Sequence, residues 1–277
     1  MTEPADTLDE GRLTLHHDFV WLLHRNGLDT FESFYHEGLG QLLRDVGPRS
    51  NVQLTLESDG RPVTLFLKRH EPVGFLEKLR AWLRFRRPRT PARTEWENIR
   101  ELARLGIATM PPVAFGEDPD TGRSFVMTAK LDFARPADDF VRDRFTSGPG
   151  AMTPERRKFV QRLAQLVRKL HAADLTHRDL YLCHVFVRET DGDYQLYLID
   201  LQRLGPHVFQ RRWKVKDLAQ LEFSRPRGTL SNTDAMRFLL TYFGVERLGP
   251  NEKRFARSIL RKVRRMKRKG EAEETTR

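Results

Sequence analysis

The chain has 277 residues, which suits one two-lobed domain or two small lobes around a cleft, and 39% of them are hydrophobic and 10% aromatic, enough for a core. Its charge is lopsided, with 49 Lys and Arg against 38 Asp and Glu, which points to anionic partners without choosing among nucleotide, phosphorylated substrate, nucleic acid and an anionic membrane surface. A single cysteine, Cys183, excludes an internal disulfide framework and suits a reducing compartment; no apolar run approaches the roughly 20 residues of a membrane span, and the acidic stretch 1–12 is no signal peptide, so the expected location is cytoplasmic.

Residues 1–12 read as disordered. Short helical segments are expected over 16–40, with Phe19, Leu22 and Leu23 in the core and Gly27 as a stop. A strand is predicted over 41–46, followed by the turn Gly47-Pro48-Arg49-Ser50. Residues 51–57 and 63–70 flank Asp59-Gly60 as a β-hairpin, which places Lys68 near the end of its second strand. In the insert 71–94, Phe75, Leu76, Leu79, Trp82 and Leu83 recur at helical spacing, with Lys78, Arg80, Arg84, Arg86 and Arg87 elsewhere around the wheel. Such a basic amphipathic helix suits either an anionic membrane surface or an apolar face packed on a small lobe. Apolar residues at 96, 99, 102, 103 and 105 give the next helix, with Thr94 as N-cap and Gly106 as C-cap; Glu95 and Glu97 both lie on it.

Residues 124–131 read as a strand, the stretch to Gly150 as a charged linker, and 154–170 as a long helix ended by His171, a packing histidine. A second hairpin is predicted from 185–187 and 194–198 around Asp191-Gly192. A helix beginning near Lys214 carries Asp217, expected to bond the preceding loop. Residues 251–270 hold ten Lys or Arg and one Glu, either a solvated tail helix or a contact for anionic lipid or RNA.

Within this order lies Thr176-His177-Arg178-Asp179-Leu180-Tyr181-Leu182-Cys183-His184, followed by Leu198-Ile199-Asp200. In a protein-kinase loop, H-R-D-x-x-x-x-N supplies an aspartate that receives the acceptor hydroxyl's proton, and a later aspartate holds metal ions on ATP. Asp179 and Asp200 are 21 residues apart, with the second hairpin between them, and His184 stands in the asparagine's place. The tripeptide alone is a weak signal. Lysine strand, glutamate helix, H-R-D loop and second aspartate in this order are a specific one. They predict an α+β fold of two-lobed protein-kinase type: a small β-rich lobe over 13–131, a helical lobe over 132–250 and an ATP cleft between, with a basic helix or tail over 251–277. Lys68 would then grip the α- and β-phosphates, held by Glu95 or Glu97, Asp200 would bind Mg²⁺, and Asp179 would be catalytic. No A-P-E motif follows, so a long phosphorylation-controlled loop is not expected.

These residues also resemble one family. T-H-R-D-L-Y-L-C-H, L-F-L-K-R around Lys68, A-R-T-E-W-E-N-I-R-E-L-A-R-L-G-I on the helix and R-W-K-V-K-D-L-A-Q-L-E-F-S further on are similar to the Kdo/WaaP family of lipopolysaccharide-core sugar kinases, from about residue 18 to about 245. The resemblance implies transfer of the γ-phosphate of ATP, with Mg²⁺, to a heptose or Kdo hydroxyl of the lipopolysaccharide inner core. It favours Glu95 over Glu97 as the partner of Lys68. It implies that backbone around Thr128 and Lys130 meets the adenine edge, and that His184 offers a nitrogen to Mg²⁺ or bonds a phosphate or Asp200. Arg49, in the turn after the first predicted strand, is a candidate phosphate contact. Arg203, Arg211, Arg212, Lys214 and Lys216 give the acceptor side positive charge suited to an anionic glycolipid. A lipid-linked acceptor and the basic segments together imply a peripheral protein at the inner face of the cytoplasmic membrane. The rivals are a small-molecule, protein or RNA-associated kinase and a pseudokinase scaffold; the retained Lys68, Asp179 and Asp200 speak against the scaffold.

Overall fold

In the computed structural model, which describes residues 5–72, 90–145 and 153–275 (the last six by backbone alone), the chain divides into two units. One comprises Met1–Arg104 with Met110–Leu131, the other Leu105–Thr109 with Asp132–Arg277.

The first unit is built on a seven-stranded sheet of order β1-β2-β6-β7-β5-β4-β3. β1 (Ala5–Leu8) and β2 (Leu13–His16) pair antiparallel, and the alternation of β2 turns Leu13 and Leu15 fully inward. This hairpin stands where disorder was expected over 1–12. Its acidic residues are not merely solvated: Asp9 accepts from the Phe31 amide and from the Arg12 guanidinium, each at 2.8 Å, and those bonds hold its carboxyl below the usual range. α1 (Val20–Arg25) buries Leu22 and Leu23. β3 (Gln41–Val46), β4 (Arg49–Ser58) and β5 (Arg61–His70) form a meander, with Asp59 and Gly60 at φ 51° and 74°, the left-handed pair a tight hairpin turn needs.

Most of the predicted basic amphipathic helix, residues 73–89, lies outside the described residues. α2 (Pro91–Arg104) starts three residues before the expected cap. Thr90, not Thr94, caps it: its Oγ1 accepts from the Arg93 amide at 3.2 Å, and Pro91 follows where a missing N–H is harmless. β6 (Pro112–Glu117) and β7 (Ser124–Ala129) complete the sheet. Phe31, Phe34 and Phe125 form its aromatic core, the last two stacked with ring centroids 4.3 Å apart. Gly116 lies opposite Phe125, and a Cβ there would collide with the Phe125 ring.

The second unit has a three-stranded sheet of order β10-β9-β8, made by β8 (Arg135–Pro136), β9 (Val185–Thr190) and β10 (Asp193–Leu198), with α3 (Ala137–Arg144), α4 (Pro154–Ala172), α5 (Gln210–Phe223), α6 (Asn232–Phe243) and α7 (Pro250–Thr275). Thr153 caps α4, accepting from the Arg156 amide at 3.2 Å, and the helix buries Phe159, Leu163, Val167 and Leu170. Arg156 is itself buried and pairs with Asp234, which also closes a capping box with Ser231 at the start of α6. α5 begins at Gln210 rather than near Lys214. The basic run at 251–270 is no solvated tail. Ile259 and Val263 of α7 are buried and, with half-buried Phe255, form an apolar stripe at helical spacing.

Candidate active site

The first unit contributes an ion pair. Helical spacing sets Glu95, Ile99 and Leu102 on the inner face of α2, all of them fully buried, and Glu97 off that face. Lys68 of β5 donates from Nζ to Glu95 Oε1 at 2.6 Å. A fully buried carboxylate needs such a cation, since an isolated one would be strongly disfavoured. Arg49 opens β4 after the left-handed Gly47, and its Nε donates to Asn51 Oδ1 at 3.3 Å. Thr128 is buried in the ladder opposite Phe66 and Pro112, and the Lys130 amide donates to the Thr64 carbonyl at 2.9 Å. The Lys130 N–H is therefore committed within the sheet and is not a donor for an adenine edge.

In the second unit, antiparallel pairing of β9 with β10 sets Val185 opposite Leu198. The residues just outside the hairpin are thereby joined, and the Ile199 amide donates to the His184 carbonyl at 3.0 Å. Asp200 follows in the left-handed region, at φ 56° and ψ 63°. Arg178, next to Asp179, is also left-handed, at φ 69°. Such conformations of non-glycine residues cost about 1–3 kcal/mol each and persist only where neighbours over-determine them.

One face of α5 does so for Arg178. Trp213, Lys216, Asp217 and Gln220 recur at helical spacing. Asp217, wholly buried, accepts from the His177 and Arg178 amides at 2.7 Å each, and its Oδ2 lies 3.3 Å from His171 Nε2. These are charge-assisted bonds, stronger than neutral ones. The Arg178 guanidinium stacks over Trp213 at 4.5 Å from the ring centroid, an organic partner in place of a phosphate. Lys216 donates to the Arg178 carbonyl, and burial lowers the pKa of its ammonium. His177 Nε2–H donates to the Ile199 carbonyl at 2.9 Å, tying the H-R-D loop to the residue before Asp200, and burial keeps its ring neutral.

The Asp179 carboxylate faces a cationic surround. Arg203 Nη1 donates to both of its oxygens, at 2.8 and 3.1 Å; Lys216 Nζ lies 3.7 Å away, and Gln220 Nε2 donates at 3.4 Å. Gln220 and Trp213 went unassigned in the sequence, though their spacing from Asp217 was visible there. Of the five expected acceptor-side cations, Arg203 bonds Asp179 and Lys216 lies 3.7 Å from it, while Arg211 and Arg212 line a pocket beside it. Lys214 points elsewhere, pairing with Asp174 at 3.2 Å.

His184 Nδ1–H donates to the Asp179 carbonyl at 2.8 Å. A hydrogen bond with the Cys183 side chain, with the Asp179 carbonyl adding to it, pushes the imidazolium up to about 9. A protonated ring attracts an anion and a neutral one can offer a nitrogen to a metal, so the phosphate-bonding and metal-ligand roles expected for His184 call for opposite charge states. Magnesium prefers oxygen and completes its shell with phosphate oxygens and water around one or two carboxylates. Among the described residues no cluster of three or more His, Cys, Asp or Glu forms a metal cage. Asp200 is the carboxylate that would hold such an ion together with phosphate oxygens.

Comparison with known proteins gives a consistent kinship. Residues 64–242 match the model of the Lipopolysaccharide kinase (Kdo/WaaP) family. The chain is 36% identical over 242 residues to the lipopolysaccharide core heptose(I) kinase WaaP of Pseudomonas aeruginosa, covering 84% of this chain and 86% of that one. It is 31% identical over 214 residues to the WaaP of Escherichia coli K12, covering 74% and 78%. Among solved structures, "WaaP in complex with acyl carrier protein" superposes with a TM-score of 0.67 at 32% identity, covering 94% of this chain and 98% of that one.

Proposed function

The chain belongs to the lipopolysaccharide kinase (Kdo/WaaP) family, and from that premise we propose that it transfers the γ-phosphate of ATP to a sugar hydroxyl, on heptose or Kdo, of the lipopolysaccharide inner core. The observation that carries the reading is the loop anchored by Asp217, which fixes Asp179 through the two preceding amides and ties the loop to Ile199 through His177.

The acceptor oxygen attacks the γ-phosphorus, its proton passes to or is oriented by Asp179, and the bond to the β–γ bridging oxygen breaks. Arg203 and Gln220 hold the Asp179 carboxylate in place. Lys68, fixed by Glu95, bonds the α- and β-phosphates. His184 donates to a phosphate oxygen. Asp200 would hold Mg²⁺, which when bound neutralises charge on the β- and γ-phosphates.

Phosphate transfer from labelled ATP to purified core oligosaccharide, to protein and to small alcohols in parallel tests the acceptor class; transfer confined to the oligosaccharide is expected. Asp179→Ala should lose about 10²–10⁴-fold in rate while Mg-ATP affinity stays within a few-fold. Asp200→Ala should weaken both. An Asp179→Ala protein with more than about a tenth of the wild-type rate would place the proton transfer elsewhere.

A location at the inner face of the cytoplasmic membrane is part of this reading. It is supported by a lipid-anchored acceptor and by the basic stretch 75–94 of the sequence. Sedimentation with anionic liposomes should fall as salt rises, because the screening length shrinks from about 10 Å at 0.1 M to about 3 Å at 1 M. An acyl carrier protein is a second partner to test, since a structurally similar WaaP was solved with one. A cavity of about 550 Å³ lined by Leu163, Leu218, Phe238, Leu239, Leu248 and Ile259 suits an acyl chain. Acyl-loaded carrier should raise the melting temperature; unloaded carrier should not.

A further inference from the structure

A second cavity of the second unit, of about 1040 Å³, opens directly from the groups that hold Asp179. Arg203 and Lys216 line it, and both reach the Asp179 carboxylate, at 2.8 and 3.7 Å. The first turn of α5 adds Arg211 and Arg212. The opposite wall is α7, where Ser258, Arg261, Lys262 and Arg265 fall at i, i+3, i+4 and i+7, one face of the helix. The wall is held by the buried stripe of Ile259 and Val263 and by Arg211 lying 5.8 Å over the Phe255 ring. Arg261 is oriented within it, donating to Ser258 Oγ at 3.2 Å. None of the described lining residues is acidic. At the mouth stand Val208, 95% exposed, and Phe209, 69% exposed, apolar surface with no core to join.

Seven like charges converging on one concavity repel each other, and an arrangement of that kind is relieved by a polyanion. The aromatic and apolar lip suits the C–H face of a sugar ring. We infer that this pocket is the acceptor subsite, that it recognises carboxylate or phosphate groups carried on the glycan next to the sugar being phosphorylated, and that the α7 face of Arg261, Lys262 and Arg265 is its outer wall. The inference rests on the reading of the chain as a core-sugar kinase. It assigns the basic C-terminal helix to recognition of the substrate's glycan part, not of the membrane that carries it. Contact with Asp179 through Arg203 and Lys216 sets the register: an anionic group seated in the pocket leaves the neighbouring hydroxyl at the carboxylate.

The test uses the full chain and two soluble acceptors without acyl chains: de-acylated inner-core oligosaccharide, and the same oligosaccharide with its carboxyl groups reduced to alcohols. Wild-type protein should show the lower KM for the carboxylated form. Arg261→Glu with Arg265→Glu should raise that KM about tenfold or more, as loss of one charge-assisted hydrogen bond does, with KM for ATP unmoved. Arg264→Glu with Arg268→Glu makes the same change in net charge on the same helix, at residues that do not line the pocket, and should leave the KM of both acceptors alone. Equal effects from the two double variants, or equal KM for the two oligosaccharides in the wild type, would overturn the subsite. So would a variant that loses only its binding to phosphatidylglycerol vesicles, which would make the face a membrane contact. The acceptor comparison needs no variant, so it stands even where a substitution disturbs folding. Absence of transfer to either oligosaccharide would instead remove the core-sugar reading itself.

Discussion

At the scale of single residues, the position of His184 leaves two roles open, phosphate donor and metal ligand, and a pH dependence distinguishes them. Its ring is held as an imidazolium by Cys183 and by the Asp179 carbonyl. A histidine whose folded-state pKa stands near 9, above its unfolded value near 6.5, contributes stability that is complete below about pH 6.5 and is lost as pH rises through about 9. The melting-temperature gap between wild type and His184→Gln should thus be widest at pH 6 and close by about pH 9.5. A gap that widens with pH would mean a neutral ring and favour the metal role. Glu95 makes the complementary point. Its proximity to Lys68 was anticipated from motif alignment, but what separates it from Glu97 is helix phase, since only Glu95 shares the inner face with Ile99 and Leu102.

At the scale of elements, α5 does what the catalytic loop cannot do alone. Arg178 and Asp200 hold left-handed backbones without glycine, and Asp217 offsets the first of these by taking two amides into one carboxylate. The helix pair α4 and α6 is fastened differently, by the buried Arg156–Asp234 pair. Arg156→Ala would strand the Asp234 carboxylate and should destabilise the protein by about 3–5 kcal/mol. Replacing both partners at once by Met and Leu should recover most of that loss, since a buried pair contributes little net stability over apolar packing. Urea unfolding of the three variants measures it; a double variant as unstable as the single one would show that the pair does more than compensate its own burial.

For the molecule as a whole, the buried histidines set the acid limit. Burial holds His70 near 4, and it also lowers the pKa of His171 and His177. Unfolded histidines take protons below about 6.5 while these do not, so the unfolded state binds more protons and stability falls as pH drops from about 6.5 toward 4. The urea midpoint at pH 4.5 should lie well below that at pH 7, and His70→Gln should narrow the difference. An unchanged midpoint between the two pH values would refute the assignment.

What the sequence determined by itself was the class of fold and the order of its parts, because hairpin alternation, helix period and the H-R-D spacing are local signals carried by neighbouring residues. β3 appeared with its predicted bounds, and both hairpins turned at Asp-Gly, for that reason. Local signals also misled. The acidic residues of 1–12 resemble a solvated terminus until Asp9 finds the Phe31 amide, 22 positions away. The cations of 251–270 resemble a tail until Ile259 and Val263 find a partner surface. Arg203, Lys216 and Gln220 meet at Asp179 from 24, 37 and 41 positions downstream. Which long side chains converge on one carboxylate depends on how α5 lies against the catalytic loop, and that is decided by burial of apolar faces remote from the motif. The tertiary structure therefore decided the pairing of Glu95 with Lys68 and the cationic pocket beside Asp179, since each depends on distances that no local pattern encodes.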